Sequence, residues 1–253
     1  MKNYKLSEKN WELWAKRPED EMKCNVERIH GNLPDMESNK QLVRLISEIY
    51  KPGMTVLDVG CNVGHYLLGI RKKFPELNYT GVDAYKIYIQ TAKDAFSGDT
   101  NARFETKDIH EPIFPENPCH ITYCCNVILH LPDFRKPVEN LLSSTEEVCF
   151  IRTLFGDRTS IVKIPEKPLF DEKGTPLDYY FYNTWEKNYF STFVNELGWN
   201  VEFIKDEFEP ESIKKEYESI KEKKGTTVID GKQVIGNVMA NWEWAKLTPI
   251  KNH

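Results

Sequence analysis

Apolar residues along the chain recur in two alternating rhythms. Short apolar runs at 54–59 (Val56, Leu57, Val59), 79–83, 102–109, 119–126 and 147–154 read as buried strands. Between them, apolar residues spaced by three and four mark helices. One carries Leu42, Leu45, Ile46 and Ile49 and runs from a cap at Ser38 to about Tyr50; another carries Tyr66, Leu67, Ile70 and Phe74 over 65–74. Two more fall at about 87–96 and 134–144. Strands alternating with helices predict an α/β fold built on a parallel sheet.

The rhythm breaks after Leu154. Residues 156–184 hold Gly156, Pro165, Pro168, Gly174 and Pro176, then Tyr179-Tyr-Phe-Tyr182. They read as a long irregular insertion at a strand's carboxyl end, its aromatics either lining an acceptor pocket or forming a satellite cluster. Asn183-Thr184 caps a predicted helix over 185–197 that Gly198 stops, and 200–208 alternates as a strand. Residues 209–224 read as a charged, solvated helix. Asp230-Gly231 between 227–229 and 232–235 signals a hairpin, and one strand then runs through Val238, Ala240, Trp242 and Trp244 on one face. Near the start, Trp11, Trp14 and Ala15 share a helical face within 7–30, either packing on the core or forming a lid, and 31–35 is a turn. The expected organisation is a single domain. A helical cap occupies 1–50, a cofactor-binding half 51–155, and an acceptor-side half 156–253 with insertions at 156–184 and 209–235.

Composition narrows the class. At 253 residues the chain is long enough for one large α/β domain with insertions or for two small domains, and 40% hydrophobic with 29% charged residues predicts a globular, soluble, ordered chain. A net charge of −5 offers no basic footprint for a duplex, so nucleic acid is not the expected partner. Cys24, Cys61, Cys119, Cys124, Cys125 and Cys149 form no C-x-x-C pair, and adjacent Cys124 and Cys125 point to opposite faces of a strand. Reduced thiols in the cytoplasm are the simplest account. Neither an apolar signal core nor a run of about 18 apolar residues occurs, so neither secretion nor a membrane span is expected.

The stretch from Met54 to Tyr66 carries the chemistry. A strand feeds Asp58-Val-Gly60-Cys-Asn62-Val-Gly64, and the loop feeds a helix whose first N–H groups face the crevice. A carboxylate at Asp58 repels a pyrophosphate but suits an ammonium and a sulfonium, the charges of S-adenosylmethionine. Asp83 lies 19 residues after Gly64, at the mouth of the next strand. One crossover brings it beside the loop, where it can accept both hydroxyls of an adenosine ribose.

The D-x-G-x-x-x-G pattern at 58–64 resembles the first motif of class I S-adenosylmethionine-dependent methyltransferases, with Asn62 where the fuller pattern often has glycine. Downstream, Val127-Ile-Leu-His-Leu-Pro-Asp133 resembles the segment after strand four in the small-molecule members. No Asp/Asn-Pro-Pro-aromatic motif of the nucleobase enzymes stands there, and Pro118-Cys119 precedes its strand instead of following it. The resemblance covers roughly 40–247. It implies a three-layer α/β/α sandwich around a seven-stranded, mostly parallel sheet, with an antiparallel last strand slotted between strands five and six. It also implies donor contacts from Asp58, Gly60, Cys61, Asn62, Gly64, Tyr66, Asp83, Ala84 and Asn126, with Asp108 at the adenine amine and Ile109 against the ring; by its place alone Asp108 reads equally as a surface turn acid.

Methyl transfer is an in-line displacement, so positioning dominates. An oxygen acceptor also needs a base, for which His130 and then His65 are the candidates; each is alternatively structural. Arg152, near a strand exit, is a candidate for holding an acidic acceptor. Asp83, Asp108, His130 and Asp133 show no tight metal-ligand spacing, so no metal is expected. The expected function is methyl transfer to an O or N atom of a small molecule or sugar, by a monomer or homodimer. A nicotinamide-dependent oxidoreductase and a non-catalytic S-adenosylmethionine-binding subunit are the alternatives.

Overall fold

The computed structural model describes residues 20–164, 170–176, 179–207, 226–229, 232–235 and 238–251. Helices α1 (Asp20–Ile29) and α2 (Glu37–Ser47) lead into β1 (Thr55–Val59), α3 (His65–Lys73), β2 (Asn78–Asp83), α4 (Lys86–Ala95), β3 (Ala102–Thr106) and β4 (Cys119–Cys125). A 3-10 turn (Ile128–His130), α5 (Arg135–Ser143) and β5 (Thr145–Gly156) complete the first half. The second half holds β6 (Lys163–Ile164), β7 (Tyr180–Phe181), β8 (Thr184–Glu186), α6 (Lys187–Glu196) and β9 (Trp199–Lys205). Strands β10 (Thr226–Ile229), β11 (Lys232–Ile235), β12 (Val238–Met239) and β13 (Trp242–Pro249) follow.

The central sheet has the order β3-β2-β1-β4-β5-β13-β9, with β8 paired to the end of β5. Strands β1 to β5 pair in parallel, and β13 runs antiparallel between β5 and β9, as the resemblance implies. Alternate side chains feed two cores. Val56, Tyr79, Tyr123 and Phe150 pack with residues of α2, α3 and α4 on one face, and Leu57, Val59, Ile151 and Phe155 pack with α5 and α6 on the other. Both faces are covered, which is why the strands read as continuous apolar runs. All six cysteines are free thiols. No helix among the described residues is long and apolar enough to cross a membrane.

Several expectations are corrected. The seven-strand path is as expected, and an extra strand is added to it. β4 ends at Cys125, which leaves the backbone of Leu154, Phe155 and Gly156 open on that side, and Thr184, Trp185 and Glu186 pair with it as β8. The helix placed at 185–197 therefore starts at Lys187, and Asn183 does not cap it. Ser38 is not a cap either. Met36 precedes α2, and the buried Ser38 hydroxyl lies 2.6 Å from that of Tyr66, two groups that need each other away from water. The third strand stops at Thr106, where its pairing with β2 ends at Asp83, so Asp108 lies two residues beyond it. The strand read through Val238 to Trp244 is two: Val238 and Met239 pair with β11, whereas Trp242 onward pairs with β5. The insertion at 156–184 contains short strands rather than wholly irregular chain.

Strands β10 and β11 pair antiparallel with Ile229 opposite Lys232, as the hairpin signal requires. The readings at 7–19, including Trp11 and Trp14, at 209–224, and of the Asp230-Gly231 turn itself lie outside the described residues.

Candidate donor and acceptor site

The glycine bend is tied to the neighbouring strand. The Gly60 and Cys61 N–H groups both donate to Val82 O, at 2.8 and 3.0 Å. Gly60 sits at φ +81°, and a Cβ there would lie 2.3 Å from Val127 Cγ2. Asn62 adopts φ +53°, a left-handed conformation that a short polar side chain tolerates. This is how the chain makes its bend without the usual glycine. The Asn62 Oδ1 accepts from Val63 N at 2.8 Å and from Asn25 Nδ2 at 3.4 Å. Gly64 precedes α3 at φ +78°, closely packed by Phe104 and Phe96.

Two carboxylates edge the bend. Asp83 accepts Asn62 N–H on Oδ2 and Tyr85 N–H on Oδ1, both at 2.9 Å. Ala84, between them, follows the strand end. Each oxygen keeps a second lone pair, enough for two vicinal hydroxyls. Burial pushes the Asp83 carboxyl up to about 6 against the pull of those N–H donors. Asp58 is buried, and its Oδ2 accepts the hydroxyls of Tyr79 at 2.7 Å and Tyr123 at 2.8 Å. Burial pushes it up to about 7, with the tyrosine hydroxyls opposing and the nearby Asp83 charge adding. No described residue donates to its Oδ1. Cys61, beside both acids, is a buried thiol held well above its ordinary pKa by burial and their charges. Two acids at one bend disfavour a pyrophosphate and suit a ligand bearing positive charge and a ribose diol, which is the fit S-adenosylmethionine requires.

The remaining predicted residues divide between this bend and the carboxyl edge beyond β4. His65 opens α3 with its Nδ1 buried and unpartnered, and burial, with the Arg28 charge adding, pushes it down to about 3, so the ring is neutral. Tyr66 is buried one residue on, bonded to Ser38 and stacked on Tyr123. Helix α1 lies over this loop through Asn25. Asp108 turns back on its own segment, accepting His110 N–H at 3.0 Å, and Ile109 is buried beside it.

Asn126, at φ +60°, ends β4 and accepts Arg152 Nη1 on Oδ1 at 2.6 Å. Arg152 is not a free cation. Asp206 takes its Nε and Nη2 on two oxygens, and its guanidinium lies 4.3 Å from the centroid of the Trp242 ring. His130 lies beyond β4, with Nδ1 2.8 Å from Phe181 O and its ring edge-on to Tyr182 at 4.9 Å. A carbonyl accepts but cannot donate, so Nδ1 carries a proton toward Phe181 O. Leu129, Leu154 and Ala240 pack with Tyr182, Val238 and Trp242 next to it, which makes Tyr182 of the insertion part of this cluster.

Sequence reading missed Asp206 and Gln41 and took Asn183 for a cap. The buried Gln41 accepts Trp244 Nε1–H and Glu207 N–H and donates to Lys205 O, fastening α2 beside Asp206. No local pattern marks these residues; the signal is a buried polar group whose partners lie far along the chain.

Residues 56–147 match a family model described as a methyltransferase domain. Over 112 residues the chain is 30% identical to Phosphoethanolamine N-methyltransferase 1 of Arabidopsis thaliana and 29% identical to Phosphoethanolamine N-methyltransferase 3 of the same organism. Each match takes in 42% of this chain and 22% of the relative, so the chain spans about a fifth of the length of the curated relatives it matches. The YcgJ protein from Bacillus subtilis superposes with a TM-score of 0.55 at 15% identity, over 85% of this chain and 99% of that one. The N-terminal domain of EvdMO1, crystallised in the presence of SAH and D-fucose, does so at 0.54 and 12% identity, over 86% and 85%. At such identities the likeness is one of fold. Matched domain, strand order and acid-edged bend agree: residues 56–147 are similar to a methyltransferase domain, and the fold is the Rossmann-like methyltransferase fold.

Proposed function

We propose that this protein moves a methyl group from S-adenosylmethionine to an O or N atom of a small molecule or sugar. The observation that carries the reading is the pair of carboxylates at the left-handed bend, Asp58 and Asp83, each with acceptor capacity left. Asp83 holds the ribose diol and ionised Asp58 faces the ammonium of the amino-acid tail. Ile109 packs on the adenine, with Asp108 at its amine. When bound, the sulfonium supplies an electrophilic methyl group. His130 would take the acceptor's proton as the acceptor oxygen or nitrogen bonds the methyl carbon, the carbon–sulfur bond breaks and S-adenosylhomocysteine leaves. His65, already neutral and half-buried, supports the bend, and Arg152, paired with Asp206, shapes the edge through Asn126 and Trp242 instead of meeting an acidic acceptor. Residues 51–155 form the donor half and 156–253 the acceptor half, and six free thiols fit a reducing, cytoplasmic setting.

Calorimetry with S-adenosylmethionine and with NAD tests the donor: heat with the first and none with the second is expected, and the reverse sinks the reading. Formation of S-adenosylhomocysteine against phosphoethanolamine, D-fucose and simple phenols then tests turnover. The first two compounds are chosen because a relative is named for one and a structural neighbour was crystallised with the other.

A further inference from the structure

Asp58 is clamped from both flanks of its strand. Its neighbour on β4 is Tyr123, and its neighbour on β2 is Gly81. Gly81 carries no side chain, so on that flank the hydroxyl comes from Tyr79, two residues earlier on the same face. Both hydroxyls meet one oxygen: Oδ2 accepts Tyr79 at 2.7 Å and Tyr123 at 2.8 Å. The two tyrosines are 2% and 0% exposed, so neither hydroxyl has water as a substitute partner. Their rings are fixed in turn. Tyr79 packs against Phe104, and Tyr123 stacks on Tyr66, whose hydroxyl meets that of Ser38. Two donors fill the lone pairs of Oδ2, and no described residue donates to Oδ1. The carboxylate therefore has one oxygen committed to the core and one left for a ligand.

We infer that Tyr79 and Tyr123 are positioning residues for the donor, holding Asp58 by Oδ2 so that Oδ1 is the oxygen presented to the ammonium group. Their role toward the donor rests on the reading of Asp58 as the partner of that ammonium; the clamp itself does not. The hydroxyls also act on charge. Burial pushes the carboxyl up to about 7, and the two hydroxyls draw it back because they bond the ionised form better than the neutral one. The other titratable groups facing Asp58 are Asp83, Cys61, Cys124, Cys125 and Tyr66. Burial keeps the three thiols and the phenol neutral near neutral pH, so among these Asp83 alone changes charge beside it. Without the clamp Asp58 would stay protonated at neutral pH and meet an ammonium as an uncharged group. Tyrosines that only filled the core would contribute their rings, which phenylalanine also supplies.

Carboxyl titration of the full chain labelled with 13C-aspartate separates the two roles. The Asp58 signal is the one lost in Asp58→Asn. Tyr79→Phe and Tyr123→Phe each keep the ring and remove the hydroxyl, and each should move the Asp58 midpoint to higher pH by roughly one unit. S-adenosylhomocysteine carries the donor's ammonium without a transferable methyl group. Its affinity at pH 7 should fall about 5-fold in each variant, the drop in ionised Asp58 for that displacement, and the loss should shrink as pH rises. Methylthioadenosine, with the ribose and base but no ammonium, should bind the variants and the wild type alike. Should one variant not fold, the other carries the same expectations. An Asp58 midpoint left in place, or an affinity loss equal at every pH, would overturn the inference. Binding of S-adenosylhomocysteine unaltered in Asp58→Asn would instead overturn the assignment of the ammonium to Asp58, with the carboxyl titration still deciding the clamp.

Discussion

Arg152 and Asp206 face each other in a two-bonded ion pair, Nε to Oδ1 at 2.7 Å and Nη2 to Oδ2 at 2.9 Å, each side chain less than a tenth exposed. The pair explains why an arginine at the exit of β5 is not available to an acidic acceptor: its charge is already matched and its plane is covered by Trp242. It also joins the end of β9 to Asn126 at the end of β4, across the carboxyl edge of the sheet.

Removing one partner strands the other. Asp206→Ala should cost roughly 3–5 kcal/mol and lower the melting temperature by about 10 °C, whereas replacing both residues by apolar ones of similar size should cost much less. Thermal unfolding of the single and double variants measures this, and equal losses would refute it.

Asp58 makes the free protein's stability fall as pH rises. Its carboxyl is pushed from 3.8 to about 7 in the fold, so between those values the folded state holds a proton that the unfolded chain releases. Stability is full below about 4, declines through the interval and levels off above 7, by up to about 4 kcal/mol. Asp58→Asn should flatten that slope. Urea midpoints at pH 5 and pH 8 for both proteins decide it.

The same titration should appear in donor binding. An ionised Asp58 is the form that attracts an ammonium group, so affinity for S-adenosylmethionine should rise as pH passes through about 7. A pH-independent dissociation constant would place the ammonium elsewhere.

The two downstream acids should differ in weight. Asp83→Ala removes acceptors for the ribose and frees the Asn62 and Tyr85 N–H groups, and should weaken donor binding by at least about 10-fold, since each bond to a charged acceptor is worth about 1.5–3 kcal/mol. Asp108→Ala should cost less, because Asp108 is already occupied by its own turn with His110. Titration calorimetry on the two variants ranks them.

Gly60 and Gly31 form a matched pair of left-handed glycines, at φ +81° and +77°. At Gly31 an added Cβ meets nothing within 4 Å, so Gly31→Ala should show the backbone penalty alone, about 1 kcal/mol. At Gly60 it meets Val127 at 2.3 Å, so Gly60→Ala should lose a further 1–3 kcal/mol, roughly the cost of overpacking, along with donor affinity. Denaturant midpoints compare the two directly.

Local rules determined the segment from Val56 to Asp83. The run at Val56, Leu57 and Val59, the bend from Asp58 to Gly64, the periodic helix after it and Asp83 one crossover later were all legible. Strand and helix periods are set by the backbone, and a tight bend selects glycine or asparagine wherever φ turns positive. Tertiary structure alone decided who satisfies whom. Asp58 meets tyrosines 21 and 65 residues away, Arg152 its carboxylate 54 residues away, and Asn183 a carbonyl 52 residues away. Those partners follow from register and crossover, which bring distant polar groups into one water-poor place. There each must find a complement or forfeit about 1–3 kcal/mol, and no pattern of neighbours along a chain encodes which one it finds.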